Sequence, residues 1–159
     1  IIQIILLDLR TFRDDLTNYN GEFKADKRYN FYKQDYAPNY DKNITILGKK
    51  QWSWLENELK INADVISIGS STQFGVEWNG YETWENFPKE KQKMIDLIKN
   101  TNANNLFFIS GDVHYSEISK IETEFYPLYD FTSSGLSSTW HFATPNKNRI
   151  EGQKLDPLL

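Results

Sequence analysis

At 159 residues the chain has the length of one domain or of part of one, and 39% apolar with 15% aromatic residues supply a core rich in large side chains. It contains no cysteine, which excludes disulfide scaffolds, thiolate metal sites and cysteine nucleophiles. A net charge of −4 argues against stable nucleic-acid binding, and no apolar run reaches the length of a membrane span.

The chain opens on Ile1-Ile2-Gln3-Ile4-Ile5-Leu6-Leu7, which reads as a buried strand. It starts without Met and already inside this strand, so the expectation is a partial domain whose N-terminal half lies upstream. Asp8-Leu9-Arg10 follows, then a polar segment from about Thr11 to Thr45, dense in Asn, Asp, Lys and Tyr. That length exceeds an ordinary connection and marks an excursion, functional or disordered. From Gly48 to Ile61 the spacing of Trp52, Leu55 and Leu59 predicts a helix with one apolar face. Its tryptophans read as core rather than as a ligand platform.

Val65-Ile66-Ser67-Ile68-Gly69 is the next strand, ending in the polar cluster Ser70 to Gln73. A loop carrying Trp78, Tyr81, Trp84 and Phe87 leads to Pro88, well placed to open a helix. Met94, Ile95, Leu97 and Ile98 give that helix its apolar face. Leu106 to Ser110 then has the length and composition of a fully buried strand. Two shorter strands, Ile118 to Ile121 and Tyr126 to Thr132, precede Ser133-Ser134-Gly135-Leu136, and the polar tail after Pro145 reads as loosely held.

Helical crossovers between strands imply a parallel sheet, hence an α/β fold. In such sheets ligands bind beyond the C-terminal strand ends. Three strand ends carry polar groups: Asp8 with Arg10, Ser70 to Gln73, and Asp112 with His114 in Gly111-Asp112-Val113-His114. Arg10 can grip a phosphate through two parallel hydrogen bonds. Asp112 and His114 can ligate a cation or orient a water. Each has a bland counterpart: Arg10 paired with Asp14 or Asp15, Gln73 as a loop hydrogen bonder, Asp112 and His114 as an ordinary turn.

A resemblance bears on this choice. Asp8-Leu9-Arg10-Thr11-Phe12-Arg13-Asp14 resembles the "LDTRYFRDP" segment of PhoD-like alkaline phosphatases. Leu47 to Leu55 is similar to that family's "LGEEQWAWLE" helix, and Gly69 to Gln73 to its "GSSIQ" strand end. Trp84-Glu85-Asn86-Phe87-Pro88 resembles "W-x-N-F-P", Ser110 to Ile118 resembles "SGDRHFAEI", and Tyr126 to Tyr129 with Thr132 to Leu136 resembles "YPLYELTSSGL". The blocks occur in order over roughly Ile4 to Arg149.

The resemblance implies a calcineurin-like metallophosphoesterase fold, two mixed sheets packed face to face and flanked by helices. The chain would then be the C-terminal portion of a single catalytic domain. It implies metal-dependent hydrolysis of small phosphate mono- or diesters, outside the cytoplasm, with divalent or trivalent ions such as calcium and iron. Asp112 and His114 would belong to the metal site, with His114 also catalytic, and Arg10 would bind phosphate or stabilise transition-state charge. Two positions depart from the pattern: Val113 replaces Arg in "GDRH", and Ser138 stands where the family often has His, with His141 nearby. The family's upstream metal-ligand motifs, "GSCN", "GD-x-x-Y" and "DDHD", do not occur, so the chain alone should be inactive.

Two other classes stay open. One is an aromatic-rich module stacking Trp78, Tyr81 and Trp84 on a sugar or base. The other is a catalytically dead relative serving as an interaction domain.

Overall fold

The apolar runs become short strands, and the helical periods become the crossovers between them. The structure, a computed structural model, describes residues 1–20, 35–140 and 143–153. In chain order its elements are β1 (Ile2–Leu6), β2 (Thr17–Asn18), β3 (Tyr36–Ala37), α1 (Gly48–Glu58), β4 (Val65–Gly69), α2 (Pro88–Asn100), β5 (Leu106–Ser110), β6 (Ser116–Ile121) and β7 (Leu128–Ser133). A 3₁₀ turn, Trp84–Asn86, precedes α2.

The main sheet runs β1-β4-β5-β7-β6. β1, β4, β5 and β7 are parallel, with Ile2 opposite Val65, Ile66 opposite Leu106 and Phe107 opposite Tyr129. β6 pairs antiparallel with β7 at one edge. The first two crossovers step the same way across the sheet. Right-handed connections therefore put α1 and α2 on the same face. One core results: Ile5, Ile66, Ile68, Leu106 and Phe108 from the sheet meet Trp52, Leu55 and Leu59 from the first helical segment and Met94 and Ile98 from α2. Pro88 opens α2, as its fixed φ and absent N–H favour.

Two expectations fail on this one-sidedness. The opening strand is not buried throughout: Ile5 is, while Ile2, Ile4 and Leu6 are 74%, 70% and 73% exposed. β5 likewise buries Leu106, Phe108 and Ser110 but exposes Ile109. Successive side chains point to opposite faces, and no described element covers the second face. Of the two packed sheets expected, the described residues supply one. Their other sheet is the two-stranded ribbon of β2 and β3, which flanks the described ends of the Thr11–Thr45 excursion. Residues 21–34 of that excursion lie outside the described residues, as does His141.

The "W-x-N-F-P" segment is structural. Thr83 N–H donates to Asn86 Oδ1 at 2.7 Å, Glu85 N–H donates to Thr83 Oγ1, and Trp84, Asn86 and Phe87 are buried. The tail also departs from expectation. Residues 146–153 are not loose but lie along the outer edge of β6. Lys120 N–H donates to the Asn148 carbonyl, Ile150 N–H to that of Ile118, and Arg149 Nε to Glu117 Oε2. An edge strand leaves backbone groups unpaired, and this segment supplies partners for them.

Candidate functional site

Beyond the end of β1 the chain turns at Asp8. Its Oδ1 accepts the N–H groups of Arg10 and Thr11, both at 2.9 Å, which holds its carboxyl below the usual range, the Thr11 hydrogen bonds foremost. Gln51 on α1 clamps the turn, accepting from Asp8 N–H and donating to the Asp8 carbonyl, each at 2.8 Å. The turn projects Arg10. Its Nη1 reaches Glu82 Oε1 at 2.5 Å, and Arg13 Nη1 meets the same oxygen at 2.7 Å. Arg10 therefore pairs with neither Asp14 nor Asp15 but with a residue 72 positions away. Two guanidiniums on one carboxylate leave a surplus positive charge, the setting for an anion.

Beyond the end of β5, Asp112 and His114 adopt φ of 74° and 61°. Both lie in the left-handed region, which non-glycine residues seldom occupy and which recurs where geometry serves a site. The loop after β7 supports them. Ser134 Oγ accepts from Val113 N–H at 3.1 Å and from His114 N–H at 2.9 Å. Gly135 lies so close that a Cβ there would sit 3.2 Å from the His114 carbonyl oxygen. Ser138 Oγ lies 3.1 Å from His114 Nδ1, and the His114 carbonyl accepts from Trp140 N–H at 2.9 Å. At the position where the resemblance expects His, Ser138 thus holds the His114 ring. In the tautomer whose Nδ1–H donates to Ser138, the Nε2 lone pair is free to bind.

Burial and the negative charge of Glu82 push the Asp112 carboxyl up, against the pull of Arg10 and His114. Arg10, Glu82, Asp112 and His114 share one electrostatic environment. Asp112, His114 and Glu82 also line a cavity of about 250 Å³ together with Tyr36, Tyr81 and Trp140.

The third strand end does not join them. Ser70 Oγ donates to the Thr72 carbonyl and accepts from Trp84 Nε1. Gln73 is buried and donates to Glu117 Oε1 at 2.6 Å and to Thr132 Oγ1 at 3.0 Å. The "GSST-Gln" segment thus turns into the core, and Gly75 passes over the sheet so tightly that a Cβ would lie 2.6 Å from that of Ser119.

Sequence reasoning missed Glu82, Arg13, Tyr36 and Trp140 as site residues. Arg13 lies within the resembling "LDTRYFRDP" segment and could have been flagged. Glu82 had no signal, because an acidic residue in a polar loop is ordinary. Of the aromatic trio that the alternative binding-module reading would stack on a ligand, Tyr81 lines the cavity and the two tryptophans do not. Trp84 is buried, and Trp78 packs on Tyr19 at 5.2 Å and donates to the Tyr36 carbonyl.

Among the described residues no group of three His, Cys, Asp or Glu side chains could hold a metal ion. Asp112 and His114 are two donors, one short of the three protein ligands usual at a catalytic zinc. By donor type they suit one side of a metal centre, and among the described residues nothing completes it.

Residues 1–154 match the model of a family described as PhoD-like phosphatase. Alkaline phosphatase D of Bacillus subtilis (strain 168) is 29% identical over 129 residues, a match covering 76% of this chain and 20% of that protein. A solved structure of PhoD superposes with a TM-score of 0.66 at 26% identity, covering 87% of this chain and 27% of that one. The chain spans a fifth to about a quarter of the length of these relatives.

Proposed function

Because this chain belongs to the PhoD-like phosphatase family, we propose that the full-length protein carrying it hydrolyses small phosphate mono- or diesters with the help of metal ions. The observation that carries this reading is the convergence of Arg10 with Asp112 and His114, about a hundred positions apart in sequence, beside one cavity. Arg10 and Arg13 supply a paired cationic grip suited to phosphate oxygens. An entering phosphate competes with Glu82 for both guanidiniums. Arg10 then stabilises charge that grows on the phosphoryl oxygens in the transition state.

Asp112, through its carboxylate, and His114, through its imidazole, would hold one side of the metal centre. A bound metal would supply Lewis acidity and lower the pKa of a coordinated water. The remaining donors would come from outside the described residues. Calcium or iron is the reading drawn from the family resemblance. The resemblance also favours action outside the cytoplasm, which fractionation of the source cells tests: activity confined to the cytosol would contradict it.

The decisive assay uses the full-length protein, stripped with chelator and reconstituted with metal, on p-nitrophenyl phosphate and bis(p-nitrophenyl) phosphate. Metal-stimulated release of nitrophenol that Asp112→Ala abolishes is the expected result. Near-normal turnover by Asp112→Ala at saturating metal would remove Asp112 from the site, and no turnover of either ester by the wild type would sink the phosphatase reading.

A further inference from the structure

The cavity beside Asp112 and His114 has walls that phosphate chemistry does not need. Tyr36, Tyr81 and Trp140 line it, reaching it from three separate parts of the chain: β3, the loop before the 3₁₀ turn and the loop after β7. Elsewhere aromatic rings pack on one another. Tyr19 meets Trp78, Trp52 meets Trp84, and Phe74 stacks on Phe108 at 3.9 Å. Among the described residues, Tyr36, Tyr81 and Trp140 make no ring-to-ring contact, and Trp140 is 44% exposed.

The main chain that carries these rings is anchored by hydrogen bonds. The Tyr36 carbonyl accepts from Trp78 Nε1 at 2.8 Å, Tyr81 N–H donates to Asn79 Oδ1 at 3.0 Å, and Trp140 N–H donates to the His114 carbonyl. The last bond places Trp140 directly beside a candidate catalytic residue. The polar lining away from Asp112 and His114 is already occupied: Asn79 Nδ2 donates to Thr144 Oγ1 at 3.1 Å, and Thr144 Oγ1 pairs with the Tyr115 hydroxyl at 2.6 Å. Away from Asp112, His114 and Glu82, the remaining lining is Val113 and the three aromatic side chains. At about 250 Å³ the space lies just below the roughly 300–1,000 Å³ of drug-sized pockets, enough for one ring system next to the phosphate.

We propose that this cavity is the leaving-group pocket, and that the substrates are phosphate esters whose alcohol or phenol carries a flat aromatic ring. The ring packs against Tyr36, Tyr81 and Trp140 while the phosphate lies at Asp112, His114 and Arg10. Stacking on aromatic faces tolerates any planar ring, so an aryl group and a nucleobase share this chemistry. The proposal rests on the phosphatase reading for its phosphate end.

The test uses the full-length protein with metal. Adenosine 5′-monophosphate and ethyl phosphate are compared directly, because both release a primary alcohol of similar leaving ability. Phenyl phosphate, an intrinsically better leaving group, is read only as a ratio of variant to wild type. The wild type should favour adenosine monophosphate over ethyl phosphate in kcat/KM, or phenyl phosphate should show the same variant effect, which distinguishes nucleoside from aryl. Trp140→Ala should lower the kcat/KM of the ring-bearing ester relative to ethyl phosphate by about tenfold, in line with the loss of one stacking face. Trp140→Phe, which keeps a ring, should restore most of it. Saturation-transfer NMR with adenosine or phenol gives a readout free of turnover, and the signal seen with wild type should vanish with Trp140→Ala. Equal loss for ring-bearing and ethyl esters in Trp140→Ala would overturn the pocket while leaving the phosphatase reading intact. Ring binding without hydrolysis of any ester would do the reverse. Absence of both ring preference and ring binding in the wild type would overturn the pocket outright.

Discussion

Asp112 and His114 hold left-handed backbone conformations that cost about 1–2 kcal/mol each for side-chain-bearing residues. Ser134, Gly135 and Ser138 surround that strain with hydrogen bonds and close packing, so the turn is held in one conformation. Arg10 is held differently. Its side chain is half-exposed and, among the described residues, tied to Glu82 alone, which it can leave for a phosphate. Arg10→Lys keeps the charge but loses the two-pronged geometry. In the full-length enzyme this variant should retain its metal content and lose roughly 1–3 kcal/mol of transition-state stabilisation, the scale of a charge-assisted hydrogen bond. Elemental analysis alongside kcat/KM checks it. Loss of bound metal would show that Arg10 supports the metal centre instead.

Between residues and the whole molecule, a buried polar network joins the segment after β4 to β5, β6 and β7. Asp130 on β7 accepts the N–H groups of Phe74 and Gly75 on Oδ2, each at 2.8 Å, and the Ser110 hydroxyl on Oδ1 at 2.7 Å. Glu117 on β6 accepts from Gln73 and Arg149. This network draws Ser70 to Gln73 inward and fixes Ser110, the residue before the Gly111-Asp112 turn. Burial pushes the Asp130 carboxyl above its ordinary value of 3.8, against the pull of those hydrogen bonds. A raised folded-state pKa means the folded chain keeps a proton that the unfolded chain has released. The stabilisation is complete below the unfolded value and is lost as pH rises through the folded one. Asp130→Asn resembles the protonated form, and the Ser110 hydroxyl can turn to accept from its amide. The variant should therefore gain stability relative to wild type as pH rises from about 4 to about 7, read from denaturant midpoints of the full-length protein. A stability difference that stays flat over that range would mean Asp130 is ionised in both states.

At the scale of the molecule, the described elements cover one face of the sheet and leave the other bare. Ile2, Ile4, Leu6, Ile109 and Phe131 leave a broad apolar surface, and β1 adds an edge with no strand beyond it among the described residues. Apolar faces of this extent and unpaired edges drive association. The isolated 159 residues should therefore bind hydrophobic dyes, associate, and unfold over a broad range. They should not hydrolyse either nitrophenyl ester. Ile4→Lys, placed midway along the edge strand β1 on the bare face, should raise the solubility of the isolated chain and destabilise the full-length protein, where that face is expected to be covered. A sharply unfolding monomer that turns over an ester would contradict this picture, and so would an Ile4→Lys change that is neutral in both settings.

The one-dimensional signals were enough for local structure. Runs of β-branched and apolar residues marked β1, β4 and β5, the Trp52, Leu55 and Leu59 spacing marked α1, and Pro88 marked the start of α2, because each depends on neighbours within a few positions. The ordered motifs, from Asp8-Leu9-Arg10 to Thr132 to Leu136, carried the family, since a motif is itself a pattern in sequence. They also pointed to Asp112, His114 and Arg10, which lie at strand ends where a parallel sheet gathers its ligand groups. Tertiary structure decided the rest. Which face of each strand is covered depends on the side taken by both crossovers, and a buried run reads the same either way. That Ser70 to Gln73 turn inward depends on Glu117 and Thr132, more than forty residues on. That Glu82 holds Arg10, and that Tyr36, Tyr81 and Trp140 share one cavity, follows from loops meeting in space, for which no local spacing exists to read.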